Sequence, residues 1–233
     1  MSGRTRPSPQ GVGMGSDEAT WLGSLSTPSL LNRDLVAQVN ALADAAKVGD
    51  WADVLRLVNG ELKSAGPNVW RPGGSSGFTP LHQAAWHGAP AGVVQDLISS
   101  GAWRTMPALD GQTAADVAQK RGHVHLSSLL EPPKPFAEPS HVAALDRRLD
   151  EVVSERSIAV GAGRLRPLPT RVLQELSAGQ RMWFPIPGMY GGFAVELRLR
   201  FLLVESWSRV VGGSGVAHVI TKDMTAVVDQ GFV

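Results

Sequence analysis

Cysteine is absent from the 233 residues. Disulfides, thiolate zinc sites and cysteine nucleophiles are therefore excluded, and a reducing, cytoplasmic setting is the expectation. Net charge is nearly absent too: 22 Lys and Arg stand against 21 Asp and Glu, a formal +1. A chain so balanced exerts no global pull on nucleic acid or on an anionic membrane surface. No stretch approaches the roughly 20 apolar residues of a membrane helix. No apolar run follows Arg4 and Arg6, so a secretory signal is not expected. The opening stretch is rich in Gly, Pro and Ser, which predicts a disordered tail over 1–28, with Met14 as a possible start. Its GVGMG lacks a preceding strand and does not qualify as a phosphate loop.

What the chain does have is apolar content, 43%, ordinary for a soluble core in one large domain or two small ones. It also has a repeat. Gly77, Thr79, Ala84 and Gly88 recur 34 positions later as Gly111, Thr113, Ala118 and Gly122. Val94, Leu97 and Ile98 recur 32 positions later as Leu126, Leu129 and Leu130, after a short offset near Ala89–Gly92. A weaker upstream copy has Ala45, Ala46 and Gly49. Each copy reads as two short helices. Thr79 is a candidate N-cap, Pro80 suits the first turn, Gly88 ends the first helix, and Gly101 ends the second.

These residues, with Leu81, His82, Ala85, Ala102, Asp110 and His123, resemble the ankyrin repeat over about residues 41–132. The Thr-Pro-Leu-His tetrapeptide at 79–82 is the most specific match; the first copy lacks it, and the third has Thr-Ala-Ala-Asp in its place. The resemblance implies about three helical repeats and binding of another protein through a concave groove. It also implies that His82 bonds within its own repeat and toward the next turn. In the family register Lys47, Val48, Trp86, His87, Lys120 and Arg121 point into the groove. Trp103, Arg104 and Met106 lie on the following turn, at its edge. An acidic segment is the expected partner. His82 and His87 lack the i, i+4 spacing of a helical metal pair, and His123 and His125 point to different faces, so neither metal nor cofactor is expected.

EPPKPFAEPS at 131–140 holds four prolines and reads as a stiff linker, assigned to 133–140, between a repeat domain over 29–132 and a second domain over 141–233. A helix follows, with Val142, Leu145, Leu149, Val152 and Val153 on one face. TRVLQELSAG reads as a second short helix. GFAVELRLRF alternates as a strand, with Phe193, Val195, Leu197, Leu199 and Phe201 on one side. The expected fold is thus α-helical ankyrin repeats followed by a small α+β domain, an antiparallel β-meander of four or five strands with two helices.

The last hundred residues carry weaker signals. Ser214, His218 and Asp223 supply the types of a catalytic triad, but Val216 spoils the Gly-x-Ser-x-Gly elbow. GAGR at 161–164 lacks a strand–loop–helix context for nucleotide binding. Arg198, Arg200 and Arg209 suggest a basic face for RNA, interrupted by Glu196 and Glu205. Trp183, Phe184, Tyr190 and Phe193 offer a second pocket or partner site. Three function classes follow: a protein-binding module with a second binding or effector domain, a hydrolase-like enzyme whose repeats recruit substrate, and an immunity or inhibitor protein for a cognate toxin.

Overall fold

A computed structural model of the chain describes residues 19–60, 62, 65–158, 165–208 and 214–231. Its helices start and stop where local chemistry dictates. Helix α1 (Arg33–Val48) begins at Asn32, whose side chain accepts the Asp34 N–H at 2.7 Å, and ends at left-handed Gly49. Helix α2 (Trp51–Asn59) is capped by Asp50 in the same way. Helix α3 (Pro80–His87) opens on a proline and ends at Gly88, φ 62°. Helix α4 (Ala91–Ser99) follows at once. Helix α5 (Ala114–Arg121) opens with the Thr113 N–H and hydroxyl donating to the Asp116 carboxylate at 2.8 and 2.7 Å. A 3-10 turn (Val124–Leu126) and the short α6 (Ser127–Leu130) complete this part. Helix α3 packs on α1, α4 and α5, and buried Ala45, Ala46, Ala84, Ala85 and Ala118 permit close approach.

The strands are β1 (Ala19–Thr20), β2 (Met182–Ile186), β3 (Gly191–Arg198), β4 (Phe201–Ser208), β5 (Ser214–Ile220) and β6 (Thr225–Gln230). They form one six-stranded sheet in that order, with β1 parallel to β2 and the other pairs antiparallel. Met182, Phe184, Phe193, Val195, Leu202 and Val204 are buried on its inner face. Helix α7 (Pro139–Ser157) buries Leu145, Leu149, Val152 and Val153, and packs on β5 and on the 3-10 helix Thr170–Glu175.

The expected architecture of ankyrin repeats followed by an antiparallel meander is overturned. The sheet is mixed, and its first strand precedes the helices in the chain, so helices and strands interleave in place of a clear repeat stack. The copies are also unequal. Residues 60–79 connect α2 to α3, whereas the third copy's second helix is only the 3-10 turn plus the four residues of α6. TRVLQELSAG holds only a six-residue 3-10 helix, Thr170–Glu175, so one long α-helix stands where two helices were expected. GFAVELRLRF is two strands: Arg198 pairs with Phe201, and Leu199 sits in the turn, 88% exposed at φ 55°. Alternation continued across the hairpin and hid the break.

Residues 19–28, expected as tail, supply β1, the 3-10 turn Gly23–Ser26 and the first residue of another, Pro28–Leu30. Trp21 is buried there. Its Nε1–H donates to the Arg166 carbonyl at 2.9 Å, and its ring lies 5.4 Å from that of Trp70. The Arg166 guanidinium stacks 4.4 Å over Trp70, and its Nη2 donates to the Pro107 carbonyl at 2.5 Å. The proline segment is packed as well: Ala137 is buried, and the Phe136 N–H donates to Gln174 Oε1 at 3.1 Å. The apolar core runs continuously from Trp21 to Ile220.

Candidate functional site

The histidines of the helical part are used in structure. His82 accepts at Nδ1 from the Thr79 hydroxyl at 2.8 Å and amide at 3.3 Å, and its Nε2–H donates to the Gln112 carbonyl at 3.2 Å. Only the neutral ring can do both. Burial, the dominant cause, pushes its pKa down to about 4. The Nε2–H groups of His87, His123 and His125 donate to the carbonyls of Lys47, Trp86 and Ala89 at 3.0, 3.2 and 3.3 Å. These carbonyls lie at or just past the ends of α1 and α3, where helices leave acceptors unpaired. Among the described residues, no group of three or more His, Asp or Glu could hold a metal ion.

Between α1 and α3 lies a cleft of about 780 Å³, closed on one side by residues 69–79. Lys47, Arg71, Phe78, Gln83, Trp86 and His87 line it, and none of its described lining residues is a carboxylate. Trp86 is 43% exposed, with the Arg121 guanidinium 4.3 Å above its ring and Phe78 edge-on at 6.2 Å. Arg71 is turned toward the Asp44 carboxylate and Asn40 on α1.

Three of the residues expected in a groove line this cleft, Lys47, Trp86 and His87, and a fourth, Arg121, stacks on Trp86. Val48 is exposed beside the cleft without lining it, and Lys120 is exposed on α5. Trp103, Arg104 and Met106 are elsewhere. Trp103 is buried, its N–H donating to Asn68 Oδ1 at 2.8 Å, and Met106 is in the core. The amides of Arg104 and Thr105 donate to the Glu175 carboxylate at 3.0 and 2.7 Å, tying that turn to the segment before β2. The sequence reading missed Arg71, Phe78 and Gln83. Arg71 sits in an aperiodic connection, so only the fold brings it to α3, whereas Phe78 stands two residues before the first residue of α3.

The second aromatic set disperses. Trp183 points to the outer sheet face and stacks on Trp207 at 4.7 Å, over Gly192, where a Cβ would stand 2.9 Å from the Trp183 ring. Phe193 points the other way, into the core beside Phe184, and Tyr190 sits exposed in the β2–β3 turn. Period-two geometry forbids one pocket from these.

The triad is not assembled either. Ser214 and His218 are four residues apart on β5, about 13 Å at strand rise. Asp223 lies in the β5–β6 turn, bonded by the Lys222 ammonium at 2.7 Å. His218 Nδ1 is buried without a hydrogen-bond partner, and burial, reinforced by Arg156, lowers its pKa. Arg198 is held by Glu196 at 2.9 and 3.0 Å. Arg209, GAGR and GVGMG lie outside the described residues. No helix among the described residues is long and apolar enough to cross a membrane. Compared with known proteins, the chain matches no family model and no curated sequence.

Proposed function

We propose that the chain is a protein-binding module whose recognition surface is the α1–α3 cleft. The partner presents an acidic or phosphorylated segment carrying an apolar residue. The observation that supports this is the lining itself: a half-exposed tryptophan, Lys47, Arg71 paired with Asp44 outside the lining, no carboxylate among the described lining residues, and Arg121 stacked alongside. Trp and Arg are the side chains that most often dominate interfaces, and a one-sign cleft speeds encounter with the opposite charge. The resemblance of residues 79–82 to the ankyrin tetrapeptide points to the same class of function.

The test begins with selection of peptides from a random displayed library on the intact chain. Acidic peptides with one conserved apolar residue are expected. Trp86→Ala should weaken such a peptide about 30-fold, the equivalent of about 2 kcal/mol, with little change in melting temperature. Lys47→Glu with Arg121→Glu should mainly slow association, and the loss should shrink as salt rises. Peptides with no acidic preference, or equal binding by all variants, would remove the cleft from the reading.

A further inference from the structure

A second cleft, of about 910 Å³, lies on the other side of α5's entry loop and is independent of the first. One wall is residues 105–113, another is the proline segment 131–137 with the start of α7, and the third is the 3-10 helix around Arg171. Its surface is mainly apolar, with Leu109, Pro133, Phe136, Val142 and Ala143 prominent. The volume falls within the range of small-molecule sites.

Arg171 is the unusual group. It is half-buried, yet its side chain makes no hydrogen bond or ion pair with any described residue. Two carboxylates are near enough to act on it electrostatically, Asp146 and Asp116. Each also accepts a hydrogen bond from a nearby threonine. Asp116 accepts the Thr113 amide and hydroxyl at the start of α5, and Asp146 Oδ1 accepts the Thr170 N–H at 2.7 Å. Each of these bonds uses one carboxylate oxygen, and Asp146, like Arg171, lines the cleft without pairing to the guanidinium. Burial depresses the Arg171 pKa despite these acids. A planar fork of donors, partly stripped of water, faces an apolar cleft. The remaining lining charges, Lys134 and Glu131, are exposed and opposite in sign.

The walls also restrict the occupant. Pro107, Pro132, Pro133, Pro135, Pro139 and Pro169 have no N–H, so the cleft offers few backbone donors to an extended peptide. An aliphatic tail needs none. We propose that this cleft binds a small apolar carboxylate, its head paired bidentately with Arg171 and its tail laid against Leu109, Phe136 and Val142.

The experiment titrates the full chain with octanoate, octanol and a short apolar peptide bearing a free C-terminal carboxylate, by calorimetry. Octanoate should bind one per chain, at least tenfold tighter than octanol and tighter than the peptide. Arg171→Gln should lose at least tenfold for octanoate and leave octanol unchanged, with Arg171→Lys intermediate, because an ammonium lacks the fork. Ala143→Trp, at an exposed position of α7, should fill the cleft and reduce octanoate binding at an unchanged melting temperature. Equal binding of octanoate and octanol, parent-like binding by Arg171→Gln or Ala143→Trp, or preference for the peptide would each overturn the proposal.

Discussion

His82 shows how one side chain can set the pH response. Its ring is neutral in the fold, with a pKa near 4 against 6.5 when unfolded. Between those values the unfolded chain binds the extra proton, so stability falls as pH drops from about 6.5 toward 4 and is fully present above 6.5. The full shift corresponds to about 3 kcal/mol. Denaturant midpoints measured from pH 7 to 4.5 should decline for the parent and decline less for His82→Asn, which keeps an acceptor near Nδ1 but cannot titrate. Equal slopes would place the proton uptake elsewhere. Gly88 is the neighbouring constraint. At φ 62°, a Cβ there would stand 2.5 Å from His123 Nδ1. Gly88→Ala should therefore cost about 1–3 kcal/mol through left-handed strain and displacement of His123 from Trp86. An unchanged urea midpoint would show that the cap tolerates a side chain.

At the scale of the element, the β3–β4 hairpin carries a mismatch between residue and turn. Its two-residue loop is Leu199-Arg200, and only Leu199 has positive φ, the pattern of a turn that prefers glycine first. Leu199 is almost wholly exposed, so its side chain contributes little packing. Leu199→Gly should stabilise the chain by on the order of 0.5–1 kcal/mol, despite glycine's greater freedom when unfolded. Thermal melts of the pair check this, and a lower melting temperature for the glycine variant would mean that Leu199 has a packing role. Helices were the more legible elements because their signals are local: Asn32, Asp50, Thr79 and Thr113 at the starts, Gly49, Gly88 and Gly122 at the ends. The turn at Leu199 had no such marker.

Across the whole molecule, three contacts join the ends of the chain to its middle. Trp21 reaches Arg166, Arg166 covers Trp70, and Glu175 holds the amides of Arg104 and Thr105. The Glu175 side chain is 8% exposed, so its removal leaves donors unpaired in a nearly dry place. Glu175→Ala should cost about 2–3 kcal/mol. A fragment ending at residue 133 loses β2, Arg166 and Glu175 together, and it should melt far below the parent or aggregate. The intact chain should lose tryptophan fluorescence and circular dichroism in one shared transition. A stable, soluble fragment with its own cooperative melt would show that the helical part stands alone.

The sequence by itself marked the start of α3 at Thr79 and its stop at Gly88, because caps and glycine stops act within a few residues, and the resemblance gave His82 its bonding role and set Lys47, Trp86 and His87 on one surface. It also placed the apolar face of α7. Pairing of β1 with β2 joins residues more than 160 positions apart, Ala19 with Met182, and no local pattern encodes a two-residue strand's partner. Arg71 enters one cleft and Arg171 the other through aperiodic or 3-10 segments whose direction depends on what they pack against. Tertiary structure alone decided that the sheet is mixed and that the proline segment is a wall. It alone left a half-buried guanidinium facing an apolar space, because distant segments supply the neighbours that fix each of these.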